Sequence, residues 1–255
     1  MPLIISPKTT ESVKAVFTEK LDLKKVPRKE SGFWHGNFAD SYYSGLDGKV
    51  NVIFTGYSGA VTGQALIEYA SRNLANDPRP EVYFIGSVFA FKHSSLELGD
   101  IVFAKDTYSP DSFEQCIYKN AQARGIDNIT WPDSKLLGKT IAAATIQGIP
   151  FKTSKVYCRI TPGHMPNFTS PTQLMGDAMW WPIALNPNFE QGCDSGEYES
   201  AAVLATSKLF GIPAVALLDV KDKRYSETDY RVAKSEQMIS ALHSMLGIVR
   251  DSILK

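Results

Sequence analysis

Glu197 and Glu199 stand toward one open end, and Asp219 and Asp222 toward the other, of one stretch, Asp194 to Arg224. Tyr198, Ala201, Ala202, Ala205 and Leu209 recur at helical spacing, Gly211 stops the pattern and Pro213 forbids its continuation. Ala214 to Leu218 is wholly apolar and short, as a strand covered on both faces would be. Glu197 and Glu199 then fall in the first helical turn, where unpaired backbone N–H groups favour acids. Asp219 and Asp222 fall just past the carboxyl end of the strand, where open α/β sheets bind ligands. The two sets of acids are expected to converge on one pocket, where carboxylates hold hydroxyls, stabilise positive charge and pass protons. For Glu197 and Asp222 the competing reading is a solvated surface acid.

The flanking elements are those of an α/β chain. Pro2 to Ser6 reads as a strand, and the turn Pro7–Glu11 leads to a helix reaching about Leu23 with Val13, Val16, Phe17 and Leu21 on one face. A strand–turn–helix of this kind offers an anion or sugar site, or only a Thr-capped connection. Gly32 to Ser44 is aromatic-rich and ends before a Leu46-Asp47-Gly48 turn. Val50 to Thr55 is a strand, followed by Gly56-Tyr57-Ser58-Gly59 and a helix from about Thr62 to Asn73. Pro80 to Phe89 is a buried strand carrying Gly86-Ser87, and Leu98 to Phe103 is a turn entering another strand. Asp111 to Arg124 reads as a helix, and Lys139 to Gln147 and Lys155 to Ile160 read as strands. Thr161 to Pro171 is a proline-rich loop, Gln173 to Trp181 is helical, and Thr228 to Leu254 forms a long terminal helix. No repeat or linker divides the chain, so one domain spanning residues 1–255 is the simplest organisation.

Composition excludes several classes. Lys plus Arg and Asp plus Glu are 27 each, a net charge of zero, which disfavours a sequence-independent nucleic-acid binder. Cys116, Cys158 and Cys193 lie far apart and form no metal-binding or disulfide pattern, which fits a reducing cytoplasm. No apolar run approaches the roughly 20 residues that span a bilayer, and Met1 to Glu11 lacks the features of a signal peptide. A cytoplasmic protein without metal or cofactor is expected.

Taken together, the first strand and turn, Gly86-Ser87 with LELGDIVFAKD, GEYESAAVLATSKLFGIP and LLDVKD resemble the nucleoside phosphorylase and nucleosidase superfamily. That superfamily includes purine nucleoside and uridine phosphorylases and the methylthioadenosine/adenosylhomocysteine nucleosidases. The resemblance implies a three-layer α/β/α sandwich around a mixed, partly barrel-like sheet, and an enzyme that cleaves the N-glycosidic bond of a nucleoside. Cleavage leaves positive charge on the sugar and negative charge on the departing base. By resemblance Glu199 grips the ribose hydroxyls, Tyr198 occupies a position usually held by methionine, and Gly86 and Ser87 form the glycine-rich turn. An aspartate after the last core strand protonates or hydrogen-bonds the base. Asp219 and Asp222 compete for that role, and Asp219 is favoured because it directly follows the apolar run.

Departures from the family pattern bear on the nucleophile. The first turn, SPKTTE, has neither the glycine nor the arginine that holds phosphate in bacterial phosphorylases, and Phe84 stands where another arginine is expected. Lys8 and Ser87 remain as candidates for binding inorganic phosphate. Glu11 falls at or within one residue of the glutamate with which nucleosidases activate water, or is only a favourable helix charge. Hydrolysis is therefore expected over phosphorolysis, with a non-catalytic nucleoside-binding protein as the alternative from another class. Phe89, Phe168, Trp180 and Trp181 are candidates for stacking on the base, and His35 and His164 for reaching the sugar or a neighbouring subunit's site. The resemblance also implies homo-oligomers, dimers or dimers built into trimers or hexamers, with Phe33 to Phe38 as the candidate buried surface.

Overall fold

The computed structural model describes residues 1–27, 41–56, 60–73, 80–109, 129–158, 192–225 and 229–254. Its strands are β1 (Leu3–Ser6), β2 (Lys24–Lys25), β3 (Ser41–Gly45), β4 (Val50–Phe54), β5 (Val82–Ala90), β6 (Ile101–Tyr108), β7 (Ile129–Thr130), β8 (Lys152–Cys158), β9 (Ser195–Glu197), β10 (Ala214–Arg224) and β11 (Tyr230–Val232). Its helices are α1 (Glu11–Leu21), α2 (Ala60–Asn73), α3 (Ser134–Ile146), α4 (Ser200–Phe210) and α5 (Ser235–Leu254). All the strands join one 11-stranded mixed sheet. Within it β10, β6, β8, β9 and β5 pair in a ring, because β5 returns to β10 and closes the barrel. From β5 the sheet continues outward through β1, β4, β3 and β2.

Strand alternation builds the layers. Ile4, Tyr83, Ile85, Val215 and Leu217 face a core shared with α1, α3 and α5. Their neighbours Leu3, Ile5, Val82, Phe84, Ala214, Ala216 and Leu218 join the opposite core, with Leu66 and Tyr69 of α2 and Val203 and Leu204 of α4. Side chains of period two with both faces covered explain why these strands read as continuous apolar runs. The result is the three-layer α/β/α sandwich around a partly barrel-like sheet that the resemblance implied.

Several sequence expectations need correction. Lys139 to Gln147 is not a strand but most of α3, whose buried residues Leu136, Thr140, Ala143 and Ala144 lie on one helical face. Asp133 starts that helix by accepting the Leu136 N–H at 2.8 Å. Packing of that face against α5 and the sheet decides for the helix, despite the β-branched Thr140, Ile141, Thr145 and Ile146. Strand β10 runs on to Arg224, so Asp219 and Asp222 lie within it rather than beyond it. Glu197 ends strand β9, and Glu199 is the residue before α4, so neither lies in the first helical turn. The terminal helix starts at Ser235, after the short strand β11 pairs with β10. The expected helices at Asp111–Arg124 and Gln173–Trp181 and the loop at Thr161–Pro171 lie outside the described residues.

Candidate active site

The rows of side chains that face α1 and α5 continue past the apolar core into polar groups. After Val215 and Leu217 comes Asp219 on β10, after Tyr83 and Ile85 comes Ser87 on β5, and after Ile4 and Ser6 comes Lys8 beyond β1. Parallel pairing sets Asp219 directly beside Ser87. The Ser87 hydroxyl donates to Asp219 Oδ1 at 2.7 Å, and the Lys8 ammonium donates to the same oxygen. Asp219 is fully buried, whereas the Lys8 side chain remains 15% exposed. Asp219 Oδ2 has no hydrogen-bond partner among the described residues.

A rigid support fixes the first turn. Ser6, itself fully buried, donates its hydroxyl to the Ile85 carbonyl at 2.8 Å and accepts the Lys8 backbone N–H at 3.3 Å. The Lys8 backbone is thus tied to the strand that carries Ser87. Gly86, one residue earlier, leaves room for a ring. A Cβ built there would lie 2.7 Å from the Phe84 side chain and 3.1 Å from Leu218. The residue standing at the expected arginine position is therefore a fully buried core phenylalanine that leans across Gly86.

The acids before α4 divide their work. Glu197 is 2% exposed. Its Oε2 accepts the backbone N–H of Glu199 at 2.6 Å and of Ser200 at 2.8 Å, and its Oε1 accepts the Ser200 hydroxyl at 2.7 Å. It caps the helix and fixes the backbone of Glu199, and the reading of Glu197 as a solvated acid is overturned. Strand pairing sets Glu197 opposite Cys158, whose thiol is pushed well above its usual range by burial and then by the Glu197 carboxylate. Glu199 is 9% exposed. Tyr198 and Phe89 are half-buried and pack on a cluster of Phe91, Tyr157 and Cys193, with the Phe89 and Phe91 rings edge-on at 5.1 Å. Gly196 on β9 pairs with Phe89 on β5, two residues beyond Ser87. The sheet therefore carries the Tyr198–Glu199 segment next to the strand end that holds Ser87 and Asp219.

Other candidates are not drawn together in this way. Glu11 begins α1 with its side chain 94% exposed, 3.8 Å from Lys14 Nζ. Among the described residues no hydrogen bond or ion pair joins it to Ser87 or Asp219. Asp222 pairs with Val232 of β11 and, across a bulge after Val220, with Phe89. Phe168, Trp180, Trp181, His35, His164 and the Phe33–Phe38 segment lie outside the described residues. A cleft of about 570 Å³ between Leu98–Ile101, Ile149–Lys152 and the first turns of α5 contains none of the candidate residues. Among the described residues no group of three or more His, Cys, Asp or Glu is arranged to hold a metal, and no helix is long and apolar enough to cross a membrane.

The Lys8–Asp219 pair is the feature that sequence reasoning missed. Lys8 was expected to meet phosphate, not the acid of β10. The signal was present in principle, because a carboxylate directly after a wholly apolar run needs a counter-charge, and Lys8 lies two residues beyond the strand that pairs with β5.

No protein-family model and no curated protein sequence matches the chain. Solved structures do match its fold. The 5'-methylthioadenosine/S-adenosyl homocysteine nucleosidase of Campylobacter jejuni is 16% identical with a TM-score of 0.64, over 99% of this chain and 98% of that one. The purine nucleoside phosphorylase of Toxoplasma gondii, in complex with immucillin-H, is 15% identical with a TM-score of 0.68, over 99% and 89%. A mutant futalosine hydrolase of Helicobacter pylori is 12% identical with a TM-score of 0.62, over 99% and 98%. These near full-length superpositions show that the chain has the fold of these nucleosidase, phosphorylase and futalosine hydrolase structures.

Proposed function

We propose that this protein is an enzyme that cleaves the N-glycosidic bond of a nucleoside or nucleoside-like compound, using water. The observation that carries the reading is Asp219, a buried carboxylate at the strand ends with one oxygen held by Lys8 and Ser87 and the other without a partner among the described residues. A carboxylate held in this way sets a charged, proton-bearing cluster where the base departs, while Glu199, fixed through Glu197, holds the ribose hydroxyls and opposes the positive charge developing on the sugar. Tyr198 and Phe89 supply apolar surface beside it. The Toxoplasma phosphorylase binds immucillin-H, a nucleoside-like ligand, which supports the same ligand class here.

Hydrolysis is favoured because the first turn carries no arginine and Phe84, at the other expected arginine position, is committed to the core, so no planar fork is left to grip phosphate. Glu11 is the proposed base for water and reaches it by turning inward from its exposed position. The test is cleavage of a nucleoside panel with and without inorganic phosphate, identifying the sugar product. Free sugar in phosphate-free buffer is expected, with Glu11→Gln lowering kcat by about 10²-fold at nearly unchanged nucleoside affinity. Sugar 1-phosphate formed only with phosphate would establish a phosphorylase. Tight nucleoside binding without any cleavage would establish a binding protein. The protein is further proposed to act as a homo-oligomer, and sedimentation of a monomer at micromolar concentration would overturn that.

A further inference from the structure

The geometry points to Lys8 as a catalytic residue, the proton donor to the departing base, with Asp219 as the carboxylate that aims it. This inference rests on the glycosidic reading above and assigns Lys8 a part that neither the phosphate role nor the general-acid role of Asp219 contains.

Three observations carry it. First, Asp219 Oδ1 already accepts two donors, the Ser87 hydroxyl at 2.7 Å and the Lys8 ammonium. In that ion pair the transferable hydrogens sit on nitrogen. An ammonium has three N–H groups, and Asp219 takes only one of them. Second, Asp219 has no exposed surface while Lys8 retains 15%, so Lys8 is the member of the pair that an incoming ligand can touch. Third, Lys8 is aimed rather than dangling. Its backbone N–H is held by Ser6, which is held in turn by the Ile85 carbonyl, and β1 lies between β4 and β5.

The step balances without any further reactant. The bond between the anomeric carbon and the base nitrogen breaks, and its electron pair moves to the base. A proton passes from the Lys8 ammonium to that base, leaving a neutral amine beside the Asp219 carboxylate. Water forms the new bond to the anomeric carbon and releases one proton, which restores the Lys8 charge through solvent or Glu11. Nucleoside and water give free sugar and free base.

The experiment compares Lys8→Arg and Lys8→Met with the unaltered protein on two substrates. One is an ordinary nucleoside, whose base needs a proton to leave. The other is p-nitrophenyl riboside, whose phenolate leaves without one. Arginine keeps the positive charge beside Asp219 but does not give up its proton, so Lys8→Arg separates charge pairing from proton donation even if Lys8→Met fails to fold. The expected result is a loss in kcat of about 10²-fold or more on the nucleoside for both variants, with less than about 10-fold on p-nitrophenyl riboside. Nucleoside binding to Lys8→Arg should stay close to that of the unaltered protein. Equal losses on the two substrates, or full nucleoside cleavage by Lys8→Arg, would overturn the assignment and return Lys8 to a counter-charge. Cleavage of neither substrate by the unaltered protein would overturn the glycosidic reading, and the inference with it.

Discussion

Asp219 brings a carboxylate to a position with no exposed surface, and its neighbours determine whether that is tolerable. An isolated buried charge costs several kcal/mol even after relaxation, roughly, whereas a cation and a hydroxyl on one oxygen offset most of that cost. Lys8 and Ser87 provide both. A buried cation, Lys223, shows the same logic away from the site. Its side chain is 4% exposed, and its ammonium donates to the Leu96 carbonyl and to Glu97 Oε1, both at 2.6 Å. The Lys223 hydrogen bond, followed by that from Tyr225, holds the Glu97 carboxyl below its usual range. Because the folded value is lowered, the stabilisation is complete above the unfolded glutamate value, about 4.3, and fades as pH falls through the folded value. Glu97 is 58% exposed, so the effect is small, at most about 1 kcal/mol. Glu97→Gln should therefore be less stable than the unaltered protein at neutral pH, and chemical denaturation should show the gap closing in acid. A gap independent of pH would remove this role.

At the scale of elements, helix α4 depends on a residue from the strand before it. Its N-terminal residue Glu199 makes no side-chain cap bond, and Glu197 supplies the missing acceptor from β9. Replacing Glu197 with alanine leaves two backbone N–H groups and the Ser200 hydroxyl without their acceptor in a buried place. A lost cap and unpaired donors together give an expected destabilisation of about 2–4 kcal/mol. Glu197→Gln, which keeps one acceptor oxygen, should lose less. Denaturant melts of the two variants check this, and equal losses would mean that charge, not acceptor count, matters. The helix itself was legible in the sequence, because its small apolar face and the Gly211 stop are local signals; Gly211 indeed ends it in a left-handed conformation, φ 65°. The cap was not legible. Ser195–Glu197 is a strand of three residues without an apolar pattern, held only by pairing with β5 and β8 far away in sequence. The same reason explains the misread α3, where an alanine-rich apolar run fits either period until its packing against α5 and the sheet decides.

For the whole molecule, the strands buried on both faces were legible because their apolar runs are continuous, and their assembly into layers came only through the resemblance. Barrel closure was beyond local reading, since it depends on β10 pairing with β5 on one side and β6 on the other. That closure has a consequence for unfolding. The strands of both cores are the same strands, with Tyr83, Ile85, Val215 and Leu217 facing one side and Val82, Phe84, Ala214 and Ala216 the other. Neither core can be lost while the other keeps its sheet, so the chain should unfold in a single transition as one domain. Lys223 tests this because it ties β10 to the Ser94–Glu97 segment that connects β5 to β6. Lys223→Met leaves the Leu96 carbonyl without its donor and should destabilise by about 1–3 kcal/mol. The whole transition should shift, with circular dichroism and tryptophan fluorescence still coinciding. Separate transitions by the two probes, or a shift confined to one of them, would show that the sheet is divided into independently unfolding parts.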